Sequence, residues 1–339
     1  MKVRTSPAST QPVLVVGATG QLGTRVVNLL AAARRPVRAL VRPSSQHEHL
    51  RQPGVELVTG DLHDPASLAA ACQGAGAVVA TANAVAPTHG SSFASVEDRG
   101  YAALIDACRQ QGCGRFVFMS VAVTPFDARI PLFVAKRQIE ARLVSSGLEH
   151  SILRAAPFMD DWLALVGSRL VARGDEAALI DRRWPFLQRF MRMVGGLVER
   201  KGLALVPGPA DNRHDFITVQ DVARCLVACI DNPAAHNTTL AVGGPQDLSW
   251  TEVAALFAQV LGRPVHVVST PAAVFAAQRL LMRPFSQAAS NIMALNWMAA
   301  QPLPPLGTAD AEALGVTLTR AEDFLRAQAA LPPRADEGP

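Results

Sequence analysis

Short apolar runs alternate with amphipathic stretches through the first half of the chain. The first run, at residues 13–16, is rich in valine and is typical of a strand buried on both faces. Apolar residues then recur at helical spacing from Leu22 to Leu30. Five more runs predict strands at residues 37–41, 55–59, 77–80, 115–119 and 151–153. Because helical stretches separate these runs, we predict parallel βαβ units in an α/β fold with a doubly wound parallel sheet.

The pattern of apolar positions changes at Pro157. Residues 158–202 contain apolar and basic helical stretches without strand signals. Residues 215–231 predict a short strand followed by a helix, and residues 239–242 predict a further strand. Ser249 is predicted to cap the next helix, and the rest of the chain is predicted to be helical.

Three glycines, Gly17, Gly20 and Gly23, lie between the first predicted strand and the first predicted helix. Glycine permits a sharp turn and lets a pyrophosphate approach bare backbone N–H groups, while the positive end of the following helix faces that phosphate. An ordinary strand-to-helix turn is the alternative. The order of strand, glycine turn and helix favours a dinucleotide-binding site of the Rossmann type.

The second predicted strand ends at Arg42, 19 residues after Gly23. An acidic residue at this point is typical of NAD sites, whereas an arginine suits the 2′-phosphate of NADPH. We therefore predict NADPH as the cofactor, with a solvated loop arginine as the alternative. Asp61, Thr81 and Ser120 end later predicted strands, so we expect all of these residues at the ligand-binding edge of the sheet.

The domain organisation follows from these two patterns. We predict a Rossmann domain over residues 12–156, to which residues 215–243 return. Residues 157–214 and 244–330 are predicted to form a smaller, mostly helical and discontinuous substrate or lid region at the ligand-binding edge of the sheet.

Composition narrows the functional classes. The chain has 339 residues, of which 49% are hydrophobic and 18% are charged, and a net charge of +4. No uninterrupted apolar stretch reaches the ~18 residues that a membrane span requires, so we predict none. Residues 1–11 lack the apolar core of a secretory signal, and we expect them and residues 331–339 to be disordered tails. No basic motif with interleaved aromatic residues supports nucleic-acid binding.

The cysteines indicate whether the protein works in a reducing or an oxidising compartment. The five cysteines are Cys72, Cys108, Cys113, Cys225 and Cys229. Their number is odd and their spacing matches no metal-ligand motif. We therefore expect free thiols, no metal site and a reducing, cytoplasmic location.

Six segments together resemble one known group of proteins. They are G-A-T-G-Q-L-G from Gly17, R-F-V-F-M-S from Arg115, A-K-R-Q-I-E from Ala135, S-G-L-E-H-S-I-L-R from Ser146, H-D-F-I-T-V-Q-D-V-A from His214 and G-G-P-Q-D-L-S from Gly243. Over roughly residues 12–325 the chain resembles an atypical short-chain dehydrogenase/reductase of the NmrA-like group. That group includes NADPH-dependent reductases, quinone reductases, cofactor-sensing regulators and assembly factors of photosynthetic and respiratory complexes.

The resemblance implies a set of residues around an NADPH molecule. The cofactor contacts are Gly17, Thr19, Gly20, Gln21, Leu22, Gly23, Arg42, Asp61, Leu62, Thr81, Ala82 and Lys136. Phe158, Met159 and Trp162 are placed by the same resemblance on the wall of the substrate pocket. Ordinary core packing is the alternative for these three side chains.

The resemblance also implies catalytic residues, with one departure. Short-chain dehydrogenases use a tyrosine four residues before a lysine, and a serine on the preceding strand. Lys136 and Ser120 match the lysine and the serine, but Leu132 occupies the tyrosine position. Tyr101, the single tyrosine of the chain, lies in the helix before the fifth strand, and we interpret it as a packed residue. Lys136 then either acts directly as acid or base or only binds the ribose hydroxyls.

Two functions therefore remain open. The first is an NADPH-dependent reductase that transfers hydride to an apolar small molecule with a carbonyl or conjugated system. The second is a non-catalytic NADP(H)-binding sensor, regulator or assembly factor. The basic amphipathic stretch at residues 182–200 is predicted to be either a lid or a membrane or partner surface, and residues 275–298 carry the same two interpretations.

Overall fold

The computed structural model describes residues 11–83, 98–174 and 185–332. Its strands are β1 Val13–Val16, β2 Val37–Val41, β3 Val55–Thr59, β4 Ala77–Ala80, β5 Arg115–Val121, β6 His150–Ala155, β7 Leu203–Pro207, β8 Arg213–His214, β9 Thr238–Val242, β10 Leu248–Ser249 and β11 His266–Thr270. Its α-helices are α1 Gln21–Ala32, α2 Pro65–Cys72, α3 Tyr101–Gln111, α4 Pro131–Ser145, α5 Met159–Leu165, α6 Pro185–Val194, α7 Leu197–Lys201, α8 Val219–Asp231, α9 Trp250–Leu261, α10 Ala272–Met282, α11 Gln287–Ala299, α12 Ala309–Ala313 and α13 Ala321–Ala330.

Seven of the described strands form one parallel sheet in the order β3-β2-β1-β4-β5-β6-β9. Val13 of β1 lies between Val37 of β2 and Ala77 of β4, so the order reverses at the boundary between β1 and β4. The predicted α/β fold with a doubly wound parallel sheet is therefore confirmed. In such sheets the crevice at the reversal point, beyond the carboxyl ends of the strands, is the usual ligand site.

Helices cover both faces of this sheet. On one face, α1 and α8 bury residues such as Val26 and Leu226 in a single apolar core with the sheet. On the other face, α2, α3 and α4 bury residues such as Leu104 and Ile139 with Phe118 of β5. Strands covered on both sides must be apolar throughout, which is why the four fully buried residues of β1 and of β4 stand out in the sequence.

Two elements around the predicted serine differ from their predicted bounds. The helix predicted over residues 94–111 is α3, which begins at Tyr101, while residues 84–97 lie outside the described part of the chain. β5 extends to Val121, so Ser120 lies within the strand and does not close it. Pairing with β6 explains this extension, because the ladder between the two strands continues to Val121.

The second half contains strands that the apolar pattern did not predict. β7 and β11 form a separate parallel pair with Leu203 beside His266, so the prediction of helix throughout the region after α9 was wrong. β11 is missed because none of its residues is buried and its apolar residues do not alternate. The short strand predicted from Asp215 is displaced to β8, which pairs with β10, and Ile217 forms only an isolated bridge with Phe158.

The region after Pro157 has an apolar core of its own. Trp250, Phe257 and Leu325 belong to a cluster that joins α5, α9 and α13. The division into a Rossmann domain and a lid region stays a prediction, and of the predicted tails residues 1–10 and 333–339 lie outside the described ranges. Within those ranges, no helix has both the length and the apolar character needed to cross a membrane.

Candidate functional site

The glycine turn after β1 is packed too tightly for side chains at two of its three glycines. Gly17 has a φ of +86°, and a Cβ there would lie 2.6 Å from the backbone nitrogen of Ala82. A Cβ on Gly23 would overlap the carbonyl oxygen of Gly17. A Cβ on Gly20 would approach that same oxygen at 3.3 Å, which is a milder contact. The first and third glycines therefore allow β1, β4 and α1 to meet at one point.

The N-terminus of α1 opens directly onto this point. Gly20 is the N-cap, no side chain caps the helix end, and the first turn contains no acidic residue. The positive end of the helix dipole is therefore not offset by a carboxylate of its own first turn. Thr19 lies in the turn, Gln21 and Leu22 begin α1, and their contact with a cofactor stays a prediction. A polyphosphate is the type of ligand that such a helix end binds.

The end of β4 is fixed against the end of β1. Thr81 donates its backbone N–H to the Val16 carbonyl oxygen at 2.9 Å and its hydroxyl to the same oxygen at 3.1 Å. The Tyr101 hydroxyl donates to the carbonyl oxygen of Ala82, the residue after Thr81, at 2.6 Å. These bonds hold the walls of the crevice in place before any ligand enters.

Arg42 and Asp61 end the neighbouring strands β2 and β3. Arg42 is exposed, and its carbonyl oxygen accepts hydrogen bonds from the Ser45 N–H at 3.0 Å and the Ser45 hydroxyl at 2.7 Å. Burial acts to raise the pKa of Asp61, but hydrogen bonds from His63 and the nearby charge of Arg42 bring that pKa below its ordinary value. Leu62 packs in the core instead, because only 9% of it is exposed.

Lys136 is buried on α4 with only 2% of the residue exposed. Its Nζ lies 4.9 Å from the centroid of the Phe118 ring and 5.5 Å from that of Tyr101. Both distances are typical of cation–π contacts. Tyr101 is fully buried, as expected for a packed residue, yet it also links Lys136 to the Ala82 carbonyl at the end of β4. The one feature that distinguishes Tyr101 in the sequence is that it is the only tyrosine of the chain.

Ser120 belongs to a buried network of charged residues centred on Glu140, one turn after Lys136 on α4. Its hydroxyl donates to Oε1 of Glu140 at 2.5 Å, and Arg137 and Arg154 also donate to that carboxylate. Arg137 further donates to the Val121 carbonyl oxygen at 2.7 Å, which fixes the end of β5. Burial acts to raise the pKa of Glu140, but these hydrogen bonds and charges lower it below its ordinary value. Sequence analysis did not identify this network, although Arg137 and Glu140 lie within the A-K-R-Q-I-E segment.

The three predicted wall residues occupy different surroundings. Met159 is 1% exposed and lies in the core of the second region. Trp162 is half-buried against the same core, with its ring 6.4 Å from that of Trp250. Phe158 is half-buried against the core shared with the sheet. Core packing therefore accounts for Met159, while Phe158 directly follows Pro157, which lines a cleft.

This cleft lies beyond the ends of β5 and β6, encloses a volume of about 20 Å³ and opens to solvent. Its walls come from residues 122–124, Pro157, residues 213–215, Asp247 and residues 303–306. Because these segments are far apart in the sequence, the motifs did not reveal the cleft. Its position at the carboxyl edge of the sheet makes it the candidate substrate site.

His214 is the notable polar residue of the cleft wall. It is 4% exposed, its ring lies 5.0 Å from that of Trp250, and its Nε2 has no hydrogen-bond partner among the described residues. Burial lowers the pKa of His214 to about 4, so the ring is neutral at physiological pH. Asp215 bonds elsewhere, because its Oδ2 accepts the Leu306 N–H at 2.6 Å. His214 and Asp215 therefore do not form a catalytic pair. This agrees with their adjacency in the sequence, because neighbouring residues on a strand point to opposite faces.

Three cysteines meet inside the core beside α2 and α3. The Sγ atoms of Cys72, Cys108 and Cys113 lie within 4.8 Å of one another, and the first two are 3.8 Å apart. Sequence spacing did not indicate this group, because its members come from separate elements. All three are buried free thiols among the apolar residues of the core, as are Cys225 and Cys229 in the core on the other face.

Known proteins with similar sequences include an azoreductase and a photosystem assembly factor. The NmrA-like family matches residues 9–302. An NAD(P)H azoreductase of Xenophilus azovorans is 28% identical over 257 residues, covering 76% of this chain and 76% of that protein. The photosystem II assembly factor Ycf39 of Synechocystis is 26% identical over 273 residues, covering 80% of this chain and 74% of that protein.

Solved structures share the fold over nearly the whole chain. The NADPH-dependent quinone oxidoreductase QOR2 of Escherichia coli, complexed with NADPH, has a TM-score of 0.68 and 18% identity. The similarity covers 94% of this chain and 98% of that one. At this identity the similarity concerns the fold.

Proposed function

This chain belongs to the NmrA-like family, and from that premise we propose that it is an NADPH-dependent reductase of a small apolar molecule. The observation that carries the proposal is the crevice between β1 and β4, where closely packed glycines adjoin a helix end that no side chain caps. This arrangement fits a dinucleotide pyrophosphate, because Gly17 and Gly23 leave the backbone bare beside the positive end of α1. The names of the similar azoreductase and quinone oxidoreductase agree with this cofactor.

Arg42 is our candidate for the 2′-phosphate of NADPH. Its exposed guanidinium stands at the end of β2, and a phosphate with several acceptor oxygens suits its planar donors. The ionised Asp61 nearby opposes any anion, so the arginine is needed to make the 2′-phosphate acceptable.

Exchanging this charge tests the cofactor preference. We expect Arg42→Asp to weaken NADPH binding by about tenfold or more and to leave NADH binding nearly unchanged. Arg51→Asp is the matched control, because Arg51 is also an exposed arginine but pairs with Glu48 away from the strand end. Equal losses for both cofactors in Arg42→Asp would contradict the NADPH preference.

NADPH supplies a hydride when it is bound, and residues of the chain must orient the cofactor and supply a proton. Lys136 is our candidate for both, because it is a buried cation connected through Tyr101 to the end of β4. Either it only holds the ribose hydroxyls, or it also moves the proton. Ser120 is proposed as a structural residue of the Glu140 network, since its hydroxyl already donates to Glu140.

We assign the substrate to the cleft beside Pro157. Apolar residues such as Leu303 and Leu306 line it together with charged residues such as Arg213 and Asp247. Nε2 of His214 lacks a partner among the described residues, so a polar group of the substrate would satisfy a buried atom there. Phe158 remains our candidate from the predicted wall. The free cysteines agree with the reducing, cytoplasmic compartment that the sequence predicts, which we keep as part of the proposal.

The second candidate function is a cofactor-bound protein without turnover. Leu132, at the tyrosine position of the related dehydrogenases, is 3% exposed and packs with Ile130, Phe133 and Met298. An apolar side chain there supplies no proton. The similarity to a photosystem II assembly factor supports the same alternative.

The decisive experiment measures NADPH binding and NADPH consumption separately. The purified chain is offered quinones, azo dyes and fractionated small-molecule extract, with Lys136→Met as the comparison. We expect wild-type turnover with at least one of these, and its loss in the variant. Tight NADPH binding without consumption in any of them would favour the non-catalytic function, and absence of NADPH binding would contradict both.

A further inference from the structure

Three large apolar side chains project into solvent where α10 turns into α11. Leu280 is 71% exposed, Leu281 is 63% exposed and Phe285 is 81% exposed. We call these three residues the hairpin tip. Single exposed apolar residues are common on proteins, but three within six positions form a patch that marks an interaction site.

The hairpin of α10 and α11 that carries this tip is attached to the rest of the molecule on one side only, through α11. α11 is seated on the molecule through Ala294 and Met298, which pack on residues 130–133 at the start of α4. α10 packs against α11, and none of its own residues is buried. In residues 11–83, 98–174 and 185–332, nothing covers the outer side of α10, which carries Val274 and Leu281.

The charge around the tip has one sign. Residues 253–309 contain no aspartate or glutamate. Arg279 and Arg283 flank Leu280 and Leu281, and neither arginine forms an ion pair with the described residues. An apolar segment whose charged neighbours along the chain are all cations is complementary to an apolar phase with an anionic border.

We propose that the hairpin tip docks on an anionic membrane surface. Leu280, Leu281 and Phe285 insert at the boundary between headgroups and acyl chains, while Arg279 and Arg283 bind lipid phosphates. A phospholipid surface fits better than a second copy of this chain, because a second copy would place the like charges of four arginines together. The contact is peripheral and requires no spanning helix.

The burial of all five native cysteines allows a selective test. A cysteine introduced as Phe285→Cys is labelled with nitrobenzoxadiazole, whose fluorescence rises in apolar surroundings. Val144→Cys on α4 is the matched control, because Val144 is 56% exposed and lies on a different element. Met193→Cys reports on α6, the other predicted membrane surface, since Met193 is 70% exposed.

We expect the label at position 285 to brighten with vesicles of phosphatidylcholine and phosphatidylglycerol, and much less with phosphatidylcholine alone. The labels at 144 and 193 should remain unchanged. In sedimentation with the mixed vesicles, the triple change Leu280→Ser, Leu281→Ser and Phe285→Ser should weaken binding by about 100-fold. Arg279→Gln with Arg283→Gln should weaken it by about tenfold, an effect that added salt removes.

Thermal unfolding distinguishes a lost contact from a lost fold. Because the three tip side chains are exposed, the triple variant should unfold at the wild-type temperature. The proposal is overturned if position 285 does not respond to anionic vesicles, or if only position 193 responds, which would assign the contact to α6. It is also overturned if wild type forms a dimer that the triple variant abolishes while neither protein binds vesicles.

Discussion

Helix α4 carries two buried charged groups on one face, four residues apart, that are stabilised in different ways. At the first, Lys136 lies over the rings of Phe118 and Tyr101. At the second, one turn further on, Glu140 receives hydrogen bonds from Ser120, Arg137 and Arg154. A carboxylate with this many donors is committed to the structure, whereas the aromatic faces hold the Lys136 ammonium through its charge and not through hydrogen bonds. We therefore expect Glu140 to contribute mainly to stability, and we propose Lys136 for the chemistry.

Removing Glu140 should produce the largest effect on stability. Glu140→Ala leaves two arginines and a buried hydroxyl without their shared acceptor, so we expect the free energy of unfolding to fall by about 3 kcal/mol. Glu48→Ala is the matched control, because Glu48 pairs with Arg51 at an exposed site, and should cost less than about 1 kcal/mol. Urea unfolding measures both. Similar small losses would show that the network contributes little to the fold.

Asp160 sharpens the comparison, since it is a buried carboxylate with few donors. Its Oδ2 accepts the Val219 N–H at 2.9 Å, and Arg25 lies 3.8 Å from its Oδ1. Burial outweighs these contacts and raises the pKa of Asp160 from 3.8 to about 6. Between those values the folded chain binds more protons than the unfolded chain, so ionisation of this group reduces stability as pH rises.

Asp160→Asn should remove this pH dependence. The amide oxygen still accepts the Val219 N–H but does not ionise, so the variant lacks the wild-type loss between about pH 4 and pH 6, which is at most about 3 kcal/mol. Urea midpoints of both proteins over this interval provide the measurement. Parallel curves for the two proteins would mean that Asp160 titrates normally.

Lys136→Met tests the other buried charged residue of α4. Methionine fits between the two rings without a charge, so we expect the free energy of unfolding to change by less than about 1 kcal/mol. Turnover should fall by about 100-fold or more, because the variant lacks the ammonium group that we propose to bind the ribose hydroxyls or to move the proton. A variant that unfolds readily but retains turnover per folded molecule would reverse the two assignments.

Ser120→Ala should have the smallest effect. Glu140 keeps both arginines, so the loss is one hydrogen bond, about 1 kcal/mol of unfolding free energy. NADPH binding and turnover should persist. Turnover abolished at wild-type stability would instead give Ser120 the catalytic role that the sequence predicts.

The crevice was predictable because contiguous residues build it. Val13 through Leu30 contain the strand, the turn and the helix, and each is determined by local propensity and backbone sterics. Gly23 is required by its contact with Gly17 within this stretch, whereas the contact of Gly17 with Ala82 comes from the packing of β4 beside β1. Arg42 and Asp61 were found in the same way, as residues that follow strands.

The Glu140 network and the cleft depended on contacts that no local pattern encodes. Glu140 of α4 meets Arg154 of β6, and His214 joins the cleft through a two-residue strand. β7 and β11 were missed for the same reason, because pairing between distant segments outweighs their weak local signals. Such contacts are set by the tertiary fold.

The packing of α1 against α8 also has a consequence for biosynthesis. Val26, Val27 and Leu30 share one core with Val222 and Leu226, so this face of the nascent sheet stays uncovered until α8 has left the ribosome. From the end of β6 at residue 155 to the end of α8 at residue 231, synthesis at ~5–20 residues per second takes about 4 to 15 s. During that interval the residues of the cofactor crevice have been synthesised, but α8, which packs against α1 beside the sheet, has not. Chaperones that shield apolar surface should therefore engage chains truncated after β6 more than full-length chains.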